Sequence, residues 1–97
     1  MLKRVETEID LLRRHVDVIR TVVEHQPIGI MKLSEILDMP PHRIRYSLRV
    51  LENDGYIEAS SSGAIATSTT IDLLEHLDER IDAIVDMLES IKQMKKP

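Results

Sequence analysis

The chain of 97 residues contains no cysteine, no tryptophan and no phenylalanine, and only two tyrosines. Without cysteine there is no disulfide, no thiolate zinc site and no thiol nucleophile. So few aromatic rings leave the core to aliphatic side chains and exclude a row of rings for stacking single-stranded bases. Glycine and proline are scarce as well, at three and four residues. The only biased patch is Ser60-Ser61-Ser62-Gly63. No apolar run approaches the roughly 18 residues of a membrane span. The opening Met1-Leu2-Lys3-Arg4-Val5-Glu6 turns acidic before any apolar stretch, unlike a secretory signal. A soluble cytoplasmic protein with no membrane contact is the expectation. Positive charge is not in excess either: the formal net charge is −4, which taken as a sum speaks against a polyanionic partner.

What the chain does have is aliphatic bulk, with 12 Ile, 11 Leu and 7 Val. That is enough for one core and one domain, 1–97, with no room for a separate catalytic or ligand-sensing unit. The charge is also uneven. Residues 1–55 hold nine basic and nine acidic side chains, whereas 56–97 hold four basic and eight acidic. Between Met39 and Leu51 stand Arg43, Arg45 and Arg49 with no acid among them. Between Asp72 and Glu89 stand seven acids and the single base Arg80, followed by Lys92, Lys95 and Lys96.

Periodicity divides the chain into three parts: a helix over 2–26, a compact region over 27–67, and a helix over 69–95. In the first, Leu2, Val5, Ile9, Leu12, Val16, Ile19 and Val23 alternate spacings of three and four, a heptad seam. A second stripe of Leu11, Val18 and Val22 implies a second packing partner, hence a central helix. Pro27 and Gly29 end it. Met31 to Leu37 reads as a short helix with Leu33, Ile36 and Leu37 inward. Asp38-Met39-Pro40-Pro41 forces a turn, with Pro41 suited to a first helical position. Pro41 to Asp54 reads as a helix with Ile44, Leu48 and Leu51 inward, and Gly55 stands where a left-handed cap is wanted. Tyr56–Ala59 and Ala64–Thr67 read as two short strands. The last helix is predicted to start near Thr69, with Asp72 completing a capping box. Its seam is Leu74, Leu77, Ile81, Ile84, Leu88 and Ile91.

Helix, short helix, tight turn, helix and hairpin is an order with a known counterpart. The stretch Ile44-Arg45-Tyr46-Ser47-Leu48-Arg49-Val50-Leu51-Glu52-Asn53-Asp54-Gly55-Tyr56-Ile57 resembles the winged helix–turn–helix of bacterial and archaeal regulators such as the ArsR, MarR and PadR groups. The resemblance covers about Val16 to Thr67. The long final helix is similar to the dimerisation helices of PadR-like regulators and of small archaeal winged-helix chromatin proteins. The resemblance implies a mostly α fold with a small β-hairpin wing, flanked by long N- and C-terminal helices. It also implies a transcription regulator that binds double-stranded DNA as a homodimer, with helix 41–54 in the major groove.

The residues support that expectation independently. With Ile44, Leu48 and Leu51 facing the core, His42, Tyr46, Arg49 and Asn53 face out, flanked by Arg43 and Arg45. An Arg fork can grip guanine O6 and N7 or a phosphate. Arg45, Tyr46 and Arg49 are expected to reach deepest, His42 to meet base edges, and Arg43 to hold a phosphate. Lys32 and Ser34, early in the preceding helix, are candidate backbone contacts. The same three arginines would also suit a merely solvated face. The predicted hairpin tip carries no Lys or Arg, unlike many wings, and its serines read first as a flexible turn.

The final seam, Leu74, Leu77, Ile81, Ile84, Leu88 and Ile91, with Leu73, Val85, Met87 and Met94 beside it, offers more apolar surface than one small domain covers. A second copy is expected on it. Antiparallel pairing would set Lys92, Lys95 and Lys96 of one copy near Asp72, Glu75 and Glu79 of the other. The four histidines stand apart, and His76 with Glu75 and Glu79 reads as a solvated acidic face rather than a metal corner. No phosphate loop, nucleophile elbow or acid–base pair appears, so no enzyme, no metal and no cofactor is expected. The rival expectation is a winged-helix scaffold for protein–protein contact without DNA binding. A nonspecific chromatin protein would need strong positive charge, which is missing.

Overall fold

The computed structural model describes residues 1–94. Its elements are α1 (Leu2–His25), α2 (Ile30–Leu37), α3 (Pro41–Asn53), β1 (Ile57–Ser60), β2 (Gly63–Ala66) and α4 (Ser68–Lys92). The fold is mostly helical with one two-stranded antiparallel hairpin, as the residue pattern and the resemblance implied. The last helix, expected over 69–95, reaches Lys92; Lys95, like Lys96, lies outside the described residues.

The core forms where the second half of α1 meets α2, α3 and the hairpin. Val18, Ile19, Val22, Ile28, Leu33, Ile44, Leu51 and Ile57 are all at most 4% exposed. Val18 and Val22 of the second stripe therefore pack into the core, together with Ile19 from the heptad seam, whereas Leu11 stays half-buried outside it. The first half of that seam stays open: Leu2, Val5, Ile9 and Leu12 are exposed. In α2, Leu33 is fully buried, but Ile36, expected inward, is exposed. The helix has only eight residues, and Ile30, Leu33 and Leu37 already fill the single face it presents to the core.

The turn between α2 and α3 is closed by Asp38, which adopts a left-handed conformation (φ 51°), a state that Asp tolerates better than most residues. Ser34 holds this turn twice. Its carbonyl accepts from the N–H of Met39 at 3.2 Å, and its hydroxyl donates to the carbonyl of Met39. Pro40 caps α3 and Pro41 begins it, where a missing N–H costs nothing.

At its far end α3 closes in a Schellman arrangement. Gly55 N–H donates to Glu52 at 3.1 Å and Tyr56 N–H to Leu51 at 2.9 Å, with Gly55 at φ +83°. Because the N–H of Tyr56 serves the helix end, β1 starts at Ile57 rather than Tyr56. Ser60 pairs with Gly63, so Gly63, expected in the loop, opens β2, and Ser61-Ser62 make the turn. Ile28 adds a bridge to the hairpin: its N–H donates to Ala64 at 3.1 Å and its carbonyl accepts from Ala64 at 2.7 Å.

The start of α4 differs from expectation. The helix begins at Ser68 with Thr67 as its cap residue and no side-chain capping bond, so the Thr69–Asp72 capping box does not form. The hydroxyls are used elsewhere. Thr67 donates to the carbonyl of Gly55 at 2.6 Å, and buried Thr70 donates to that of Tyr56. These bonds fasten α4 to the corner between α3 and β1. Leu73 and Leu74 then pack against the core.

Candidate nucleic-acid interface

Helix α3 is held from beneath by Ile44, Ser47 and Leu51, all buried. At 100° per residue this leaves His42, Arg43, Arg45, Tyr46 and Arg49 on the outer surface, and all five are exposed. Ser47 is a polar residue with no exposed surface. Its hydroxyl is 3.0 Å from Nδ1 of His15 on α1, which satisfies a group whose burial alone would be costly. The His15 ring also lies against that of Tyr46, with centroids 6.1 Å apart and planes inclined by 30°. The His15 pKa is lowered, first by burial and then by the neighbouring Arg14 guanidinium, with Asp54 acting in the opposite direction. The imidazole in this contact is therefore held toward its neutral form.

Between α1 and α3 lies an open concavity of about 530 Å³. Its lining is Arg14, His42, Arg43, Arg45, Tyr46 and Arg49, with no acidic side chain. Ion pairs among the described residues are Arg13 with Asp10, His25 with Glu24, Lys32 with Glu35, and His76 with Glu79. None involves the four lining arginines. Four guanidinium groups thus share one concave surface without a carboxylate to neutralise them, an arrangement suited to an anion.

On the other flank of α3, a groove of about 640 Å³ runs to the hairpin. Arg45 and Arg49 reach it too, but Glu52 and Glu58 line it with them, over an apolar floor that includes Ile28, Leu48 and Ile57. At the hairpin tip the Ser60 hydroxyl donates to the Gly63 carbonyl at 2.6 Å and accepts from the Ser62 N–H at 3.2 Å. That hydroxyl is engaged in the turn.

The structure therefore brings His42, Arg43, Arg45, Tyr46 and Arg49 together. Lys32 and Ser34 line neither concavity. Lys32 pairs with Glu35 at 3.7 Å, and the Ser34 hydroxyl points into the turn before α3. Sequence reasoning missed Arg14, His15 and Ser47. The signal was present: Arg14 and His15 stand three and four residues after Leu11, on the stripe that continues to Val18, and so face the core side of α1.

No family model matches the chain, and no curated protein matches it. Its fold is similar to that of the activation domain of the phage T4 transcription factor MotA. The two superpose with a TM-score of 0.61 at 19% identity, over 79% of this chain and 81% of that one. The chain thus shares its fold with a transcription-factor domain. At that identity the likeness concerns the fold alone.

The seam of α4 divides in two. Leu74 packs on the core and Leu77 is 8% exposed within the single chain. Ile81 is half-buried, whereas Ile84, Leu88 and Ile91 are exposed at 40%, 40% and 58%. Among the described residues no group of three His, Cys, Asp or Glu could hold a metal ion, and no helix is long and apolar enough to cross a membrane.

Proposed function

We propose that the chain is a transcription regulator that binds double-stranded DNA as a homodimer, with α3 laid in the major groove. The observation that carries this reading is the set of unpaired arginines on and beside a helix whose opposite face is locked in the core. A core-anchored helix with an open cationic face has the dimensions and donors that a major groove accepts. Arg45, Tyr46 and Arg49 meet base edges and His42 assists them, while Arg43 takes a phosphate. Lys32 and Ser34 remain candidate contacts to the DNA backbone, Ser34 through the turn it organises. The likeness to a domain of a phage transcription factor supports a role in transcription.

The second copy is proposed on the outer half of α4. An antiparallel pairing centred on Asp86 sets Ile84 of one copy across from Leu88 of the other, and Ile81 across from Ile91. The same register sets Lys92 level with Arg80 of the second copy and within a turn of its Glu79 and Asp82. Two linked heads then bind two half-sites, and linkage raises the effective concentration of the second.

One set of observations favours a second reading, a module for protein contact. The hairpin tip has no cation, the groove beside it has an apolar floor with two carboxylates, and the similar phage domain is described as an activation domain. Titration of a mixed-sequence duplex across a salt series decides between the two. DNA binding predicts affinity that falls steeply with salt. In Arg45→Ala/Arg49→Ala the affinity and the salt slope both fall, the slope by up to about two. If the wild-type protein shows no binding even at low salt, the protein-contact reading stands instead.

A further inference from the structure

The two flanks of α3 differ in charge. On the α1 side, the concavity holds Arg14, Arg43, Arg45 and Arg49 and no acid. On the hairpin side, Arg45 and Arg49 are joined by Glu52 and Glu58, and the tip is uncharged. A phosphodiester strand passing the hairpin would meet two carboxylates at close range. One passing over α1 would meet unneutralised guanidinium groups. Toward the start of α1, Arg14 and Arg43 also line a second hollow, together with Asp10, Arg13, Asp17 and Met39. There Asp10 is spent on Arg13 at 2.7 Å, which leaves Asp17 as the acid of this hollow that forms no ion pair among the described residues.

From this asymmetry we infer that α1, through Arg14, is the clamp on the DNA backbone, and that the hairpin does not grip DNA. The inference rests on the DNA-binding reading above and specifies how the duplex lies on that surface. Arg14 is half-buried and sits beside His15, whose contacts with Ser47 and Tyr46 tie α1 to α3 at this level. The guanidinium is therefore presented at a set distance from the helix that reads bases, which is what a contact fixing register on the duplex requires. The hairpin is anchored in the core through Ile57 and Ala64, but its strands and turn carry no cation with which to hold a phosphate.

The test compares salt slopes on one duplex for the wild-type protein, Arg14→Ala, Arg14→Lys, Arg20→Ala, and Ser61→Ala/Ser62→Ala. Each neutralised phosphate contributes about 0.9 to the slope of log K against log salt. Arg14→Ala is expected to lower the slope by about one and to weaken binding to all sequences alike. Arg14→Lys is expected to restore most of the slope, because the charge remains. Arg20, exposed elsewhere on α1, controls for the loss of any positive charge, and the serine pair is expected to leave slope and affinity unchanged. Equal slopes for Arg14→Ala and Arg20→Ala, or a loss confined to the serine pair, would overturn the inference while leaving DNA binding intact. Absence of wild-type binding overturns the DNA reading itself, and this inference with it. If Arg14→Ala is unfolded by circular dichroism, Arg14→Gln replaces it with a side chain closer in length.

Discussion

At position 63 an added methyl group would stand 2.5–2.8 Å from the backbone C, O and N of Ile28, and the residue holds φ +130°. Both the close approach and the dihedral favour glycine. Gly63→Ala is expected to cost at least about 2 kcal/mol, read as a fall in Tm of roughly 10 °C in a domain of this size. Gly29 has open space around its α-carbon but is the N-cap of α2, where glycine is preferred to alanine, so Gly29→Ala is expected to cost about 0.5–1 kcal/mol, less than Gly63→Ala. His15 has a second consequence at this scale. Its pKa lies below the ordinary 6.5 in the folded chain, so the unfolded chain binds the proton more readily. Stability from this group is full above pH 6.5 and is lost progressively as pH falls through the depressed value. Urea midpoints measured from about pH 7.5 to about pH 5 should decline more steeply for the wild-type protein than for His15→Gln. Equal slopes would show that His15 does not titrate in this way.

At the scale of elements, α3 was the most legible part of the chain. Pro41 at its start, Gly55 at its end and three inward aliphatics specify its limits and its face by local rules alone. The hairpin shifted by one residue because the N–H of Tyr56 is claimed by the end of α3, a bond that sequence spacing does not reveal. Ile36 is outward because a two-turn helix has one face to bury, and Ile30 took the place at its start. The capping box at Thr69 failed because α4 begins one residue earlier, at Ser68, and takes Thr69 inside its first turn. A threonine hydroxyl can cap its own helix or bond a distant carbonyl, and here Thr67 and Thr70 bond Gly55 and Tyr56. Of the proposed contacts on DNA, those on α3 could be read from one helix. Arg14 could not, because it joins them only when α1 crosses α3.

The whole molecule is elongated. Its principal extents are 59 × 27 × 21 Å and its radius of gyration 15.8 Å, against about 12.5 Å for a compact chain of this length. Its accessible surface is 7434 Å², whereas about 5,700 Å² is usual for this mass. The excess includes apolar side chains at the start of α1 and the end of α4, which a second copy would cover. Light scattering at micromolar concentration is expected to give about twice the 11.1 kDa of one chain. Ile84→Asp/Leu88→Asp is expected to return the monomer mass with helical content retained, since both positions are exposed in the single chain. A wild-type monomer would remove the dimer from the proposal. The sequence by itself determined the helices, their order and the arginine face of α3, because periodicity, caps and local charge depend on neighbours within a few residues. Only the tertiary structure decided which half of each long seam is covered, which flank of α3 is free of acid, and that Arg14 stands there. Those outcomes depend on how segments far apart in the chain cross, and nothing in local spacing encodes a crossing.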